Sequence, residues 1–159
     1  MAFFKRKEET IKELKAYVSG SIIPITEVAD PVFSSKAMGD GIAIRPEGNQ
    51  IIAPCNAEIS MVAETGHAIG LKLNNGAELL IHIGIDTVTL NGQGFHVTVK
   101  QGKKIKQGAV ILEFDKELIE QKGFATDCIM VLTNVDDFPD VKFVYNQNAV
   151  KNQTVICTF

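Results

Sequence analysis

Two histidines, His67 and His82, flank Asn74-Asn75-Gly76, a run that suits a tight hairpin because asparagine and glycine tolerate positive φ. His82 lies inside the apolar, β-prone stretch from Gly76 to Val88, and His67 follows Thr65-Gly66. A two-residue loop of Asn74 and Asn75 places His67 directly opposite His82. A loop of Asn75 and Gly76 pairs His82 with Ile69 and leaves His67 on the diagonal. Either register puts both imidazoles on one face, because strand side chains alternate with period two. Their Cβ atoms then lie about 5 to 8 Å apart, close enough to serve one reacting atom. A bulge or a longer loop breaks this count, and spacing alone leaves open that two unrelated histidines flank a turn.

A neutral imidazole is a competent nucleophile near pH 7, and a phosphorylated one is reactive enough to pass its group onward. One ring can attack phosphorus while the other donates a hydrogen bond to the phosphoryl oxygens, stabilising the developing charge. Thr65, two residues before His67, falls on the same face and can orient that ring. Asp86, four residues after His82, also points there if the strand stays extended. It can then pair with a basic partner, join a metal site or cap a turn. Gly84 between them either admits another protein's backbone or marks a bend. A rival reading gives His67, His82 and Asp86 to a zinc ion in a hydrolase, with an open position for water. No HExxH signature supports it.

The elements that must hold these residues read as strands. Short β-branched runs recur between turn signals: Ser21–Ile25, Gly41–Ile44, Gln50–Ala53, Ala57–Val62, the two histidine strands, Phe95–Val99, Val110–Phe114, Ile129–Leu132 and Thr154–Cys157. With thirteen glycines to supply turns, the pattern predicts an all-β fold, an antiparallel sandwich or flattened barrel. Helix is confined to one or two short surface pieces: Asp115 to Lys122, with an Asp cap and Gly123 as stop, and a turn at Asp30–Ser35 with Pro31 at its first position. Residues 1–14 are charge-rich, with Ile11, Leu14 and Val18 at loose helical spacing, and read as a flexible or weakly helical tail before a single domain over 15–159. Phe3 and Phe4 beside Lys5, Arg6 and Lys7 give that tail at most weak membrane contact.

At 159 residues and 45% hydrophobic, the chain is long enough for one substantial core. A net charge of -3 and the lack of any basic stripe with interleaved aromatics exclude a general nucleic-acid binder. Cys55, Cys128 and Cys157 show no metal-ligand spacing and read as buried residues in a reducing compartment, the cytoplasm. The start has no apolar h-region of a secretory signal, and Met1 with a short tail is expected of a free-standing subunit. A swinging-arm carrier built on Gly102–Gly108 is set aside, because no lysine there has the neighbours that modification requires.

The run Gly76–Val88, together with Thr65-Gly66-His67-Ala68 and Gly39-Asp40-Gly41-Ile42-Ala43-Ile44, resembles the glucose-type enzyme IIA of the bacterial sugar phosphotransferase system. The resemblance runs from about Ala16 to about Asn134, and more loosely to the end. It implies a phosphoryl carrier on an all-β sandwich. His82 would accept phosphate through Nε2 from the phosphohistidine of HPr and hand it to a cysteine of the IIB domain of a sugar permease. His67 would steady the phosphoryl group, and Thr65 would hold the His67 ring. The implied docking surface is an apolar depression of Val32, Phe33, Met38, Leu80 and Val88, with Asp86 drawing in the donor's basic patch and Asp30 at the rim. Phe33 and Val88 are expected to be partly exposed. No cofactor is required, since phosphate arrives activated, although in relatives the histidine pair can share a zinc ion with a partner's carboxylate. Regulatory binding to other proteins can accompany the relay, or replace it if the chain is purely a regulatory module. Leu80 stands where many relatives carry a larger aromatic, and His96, where relatives often have a basic residue, reads as exposed and non-catalytic. Sugar specificity belongs to the permease.

Overall fold

A computed structural model describes residues 8–159. In chain order its strands are β1 (Glu13–Lys15), β2 (Gly20–Pro24), β3 (Asp40–Pro46), β4 (Gln50–Ile52), β5 (Ala57–Val62), β6 (Ala68–Lys72), β7 (Glu78–Ile83), β8 (Phe95–Val97), β9 (Lys104–Ile105), β10 (Val110–Phe114), β11 (Cys128–Leu132), β12 (Lys142–Phe143), β13 (Asn148–Ala149) and β14 (Val155–Thr158). Two short helices, α1 (Pro31–Ser34) and α2 (Lys116–Gln121), complete the regular structure with three single-turn 3-10 segments. All pairings are antiparallel, in an eight-stranded sheet of order β13-β2-β3-β11-β7-β6-β5-β9 and two three-stranded sheets, β4-β10-β8 and β1-β14-β12. This is the all-β sandwich expected from the strand spacing.

Every residue of β11 is buried, as a strand covered on both faces must be. Cys128, Met130 and Leu132 enter the main core, whereas Ile129 and Val131 join a smaller cluster on the other face with Ile23, Ile25, Val28, Phe33 and Ala43. The chain between β2 and β3, including α1, therefore roofs the outer face of the sheet. In neighbouring β7, Leu79, Ile81 and Ile83 face the main core, and Leu80 packs against the roofed cluster. By the same alternation His82 lies on the roofed face, at the end of the strand.

Both helices carry an aspartate cap, which the sequence announces for α2 alone. Asp115 accepts a hydrogen bond from Leu118 N at 3.1 Å, and Asp30 accepts one from Val32 N at 3.0 Å. Ile119 is fully buried and Leu118 half-buried. The three cysteines are buried and unpaired. No helix among the described residues is long and apolar enough to cross a membrane.

Two expectations are corrected. Residues Glu13–Lys15 form a strand against β14 rather than a loose helix, with Leu14 and Val18 in the main core. The hairpin tip fastens the segment just before it: Asn74 Oδ1 accepts from Ile11 N, Asn74 Nδ2 donates to Glu9 O, and Asn75 Nδ2 donates to Ile11 O. Glu13 and Leu14 thus belong to the folded body, while Phe3 to Lys7 lie outside the described residues. The β6–β7 loop is also one residue longer than either sequence register assumed. Leu73 N donates to Ala77 O across Asn74-Asn75-Gly76, and Gly76 takes φ +89°. Ala68, not His67 or Ile69, therefore stands opposite His82.

Candidate functional site

Strict alternation from that register would send His67 to the core face with Ile69, away from His82. The chain avoids this because β6 begins only at Ala68. Thr65-Gly66-His67 forms a turn, in which Gly66 has φ +75° and donates to Ala63 O at 2.8 Å. The His67 carbonyl still accepts from Ile83 N at 2.8 Å, which ties the turn to the end of β7. The two imidazoles meet edge to face, with centroids 5.0 Å apart and planes at 80°. The sequence expectation of facing histidines holds, by a different route.

Each ring is held at Nδ1. His82 Nδ1 lies 2.9 Å from the carbonyl oxygen of Gly84. A carbonyl only accepts, so Nδ1 carries the proton and Nε2 of the neutral ring is bare. His67 Nδ1 lies 2.7 Å from Thr65 Oγ1, the contact anticipated for that threonine. Phe33 flanks His82 at 5.0 Å between centroids, and Phe95 flanks His67 at 6.4 Å.

Burial lowers the His82 pKa from 6.5 to about 4, helped by the neighbouring His67. The Gly84 hydrogen bond and the carboxylates of Asp30 and Asp86 oppose that shift without cancelling it. Burial also lowers the His67 pKa. Both rings are neutral at pH 7, as nucleophile and neutral donor must be.

Of the apolar residues expected at the docking surface, Val32 and Val88 are each 50% exposed and Met38 is 36% exposed, so three of these side chains face solvent. Leu80 is half-buried. Phe33, expected to be partly exposed, is instead only 4% exposed. It packs between the His82 ring and the small cluster, so it supports the histidine from beneath. Asp30 caps α1 on the same side of the sheet.

Asp86 reaches the neighbourhood differently from the extended strand assumed for it. Strand β7 ends at Ile83, Gly84 has φ +78°, and Asp86 itself adopts φ +58° ahead of a 3-10 turn over Thr87–Leu90. Gly84 is a bend rather than an opening for a visiting backbone, since a Cβ there would collide with Thr87 Cγ2 and the Ala125 carbonyl. The bend carries Asp86 away from the line of the strand. Among the described residues no three His, Cys, Asp or Glu side chains gather to hold a metal ion, so His67, His82 and Asp86 do not form the hydrolase ligand set. His96 is exposed on β8.

Sequence reasoning missed the Gly84 carbonyl and the Phe95 ring as supports of the two histidines. A glycine two residues after a strand histidine was the available signal for the first. Phe95, distant in sequence, gave none.

Residues 12–138 match the model of the phosphoenolpyruvate-dependent sugar phosphotransferase system, EIIA 1 family. The chain is 43% identical over 141 residues to a PTS system glucose-specific EIIA component of Oceanobacillus iheyensis, covering 87% of this chain and 86% of that protein. A PTS system glucose-specific EIIBCA component of Corynebacterium glutamicum is 39% identical over 144 residues, which span 91% of this chain but 21% of the longer protein. Among solved structures, glucose permease IIA from Mycoplasma capricolum superposes with a TM-score of 0.80 at 32% identity, over 99% of this chain and 98% of that one.

Proposed function

The chain belongs to the phosphoenolpyruvate-dependent sugar phosphotransferase system EIIA 1 family, and on that premise we propose that it relays a phosphoryl group from phospho-HPr to a IIB permease domain through His82 Nε2. The observation that carries this reading is the 2.9 Å contact from His82 Nδ1 to the Gly84 carbonyl, which leaves Nε2 as the free nucleophile.

In the first step the Nε2 lone pair attacks phosphorus, the bond from phosphorus to the donor histidine breaks, and its electron pair returns to the donor ring. The His82 ring keeps its Nδ1 proton and gains positive charge, which the Gly84 carbonyl stabilises. In the second step a cysteine thiolate of the IIB domain attacks phosphorus, and the pair of the breaking bond returns to Nε2. His67 steadies the group in transit: when Thr65 donates its hydroxyl proton to Nδ1, the His67 proton sits on Nε2 and can be donated to a phosphoryl oxygen.

Val32, Met38, Leu80 and Val88 form the apolar ground on which partners settle, and Asp30 and Asp86 supply negative charge at its edge. Such charge speeds encounter with a basic partner more than it tightens the complex. No bound cofactor is required. A zinc ion at His67 and His82 would need further ligands from a partner, because among the described residues no third His, Cys, Asp or Glu gathers with these two. The relay is placed in the cytoplasm, where three unpaired thiols stay reduced.

The test is incubation with enzyme I, HPr and phosphoenolpyruvate, followed by mass measurement. One phosphoryl group, lost on acid treatment, is expected on the wild-type chain and none on His82→Ala. Normal labelling of His82→Ala would remove the assignment.

A further inference from the structure

The bend that supplies the Gly84 carbonyl is itself held from behind by a hydroxyl. Thr87 is fully buried, at 0% exposure, and its Oγ1 donates to the Ile83 carbonyl at 2.5 Å. Its Cγ2 methyl occupies the space that a side chain at Gly84 would need. Two backbone bonds fix the other side of the bend: Gly84 N donates to Asp127 O at 2.8 Å and Ile85 N donates to Ala125 O at 3.2 Å.

A buried hydroxyl needs a partner, and here the partner is the carbonyl immediately before the bend. Bonding across Ile83 to Thr87 closes a small loop in which Gly84, at φ +78°, has little freedom to rotate its peptide. The direction of the Gly84 carbonyl decides which nitrogen of His82 holds the proton. If that carbonyl swings away, the ring can adopt the other neutral tautomer, with Nε2 protonated and no lone pair facing a donor.

We infer that Thr87 is a positioning residue: its hydroxyl locks the Ile83–Gly84 bend so that the Gly84 carbonyl keeps the His82 proton on Nδ1 and Nε2 free. The inference rests on His82 as phosphoryl acceptor for its functional meaning, but the tautomer can be read without any transfer.

The experiment compares wild type, Thr87→Val and Thr87→Ser. Valine keeps the shape and loses the hydroxyl; serine keeps the hydroxyl and loses the methyl. Nitrogen-15 NMR of the histidine rings reports the His82 tautomer at pH 7, and single-turnover labelling by phospho-HPr reports the acceptance rate. In wild type, Nδ1–H alone is expected. Thr87→Val should show a mixture of tautomers and a several-fold slower acceptance, while Thr87→Ser should keep both properties near wild type. An unchanged tautomer in Thr87→Val overturns the inference, as does a serine variant that loses it. If the valine variant does not fold, Thr87→Ala, which also removes the hydroxyl, is read by the same criterion. Wild type that holds the Nδ1–H tautomer yet accepts no phosphate would instead strike at the relay itself.

Discussion

His67 and His82 divide the work because their Nδ1 atoms meet different partners. A carbonyl opposite His82 fixes one tautomer, whereas a hydroxyl opposite His67 can donate or accept. His67→Gln keeps a hydrogen-bond donor without the imidazole and its threonine-set geometry. It is expected to accept phosphate from phospho-HPr at a near-normal rate and to pass it to the IIB domain about a hundredfold more slowly. Rapid-quench measurement of the two half-reactions checks this, and equal losses in both would place His67 in acceptance instead. The residue types at this site were legible in the sequence, down to the Thr65 contact. The burial of Phe33 was not, because an aromatic beside a proline turn can face solvent or core and only the packing of α1 against β3 and β11 decides.

The hairpin β6–β7 carries both histidines at one end and clasps the backbone of Glu9–Ile11 at the other. Its tip needs Gly76 in the left-handed region, at φ +89° with open space around it. Gly76→Ala therefore meets no clash and suffers only backbone strain, worth about 1 kcal/mol of stability. Chemical denaturation is expected to show that loss with phosphoryl acceptance intact. A larger loss would mean that the tip also sets the strand register. Strand positions could be read from apolar alternation, the α2 cap from Asp115 and the start of α1 from Pro31, while the Asp30 cap emerged only in the fold. The register could not, since Asn74-Asn75-Gly76 supports loops of two or three residues and one residue reverses every face. The short pieces Lys104–Ile105, Lys142–Phe143 and Asn148–Ala149 also escaped notice, because two residues carry no period.

One sheet serves two cores, and His82 stands where the smaller one thins toward solvent. That arrangement was hidden in the sequence, since the unbroken apolar run of β11 does not reveal which residues face which layer. It has a consequence for stability. The His82 pKa is lowered from 6.5 to about 4 in the folded chain, mainly by burial. Between those values the unfolded chain binds more protons than the folded one, so stability falls as pH drops through that window and is fully retained above it. Thermal unfolding from pH 7 to pH 4 should show a descent that is shallower in His82→Gln, and identical slopes would mean that the ring titrates alike in both states. The same bare nitrogen governs function, and it can be observed directly. Wild-type protein, labelled with nitrogen-15 and phosphorylated through enzyme I and HPr, is examined by nitrogen and phosphorus NMR at pH 7.5. The expected result is one phosphoryl group on Nε2 of His82 with Nδ1 still protonated. A phosphoryl group on Nδ1, on His67, or on neither ring would contradict it.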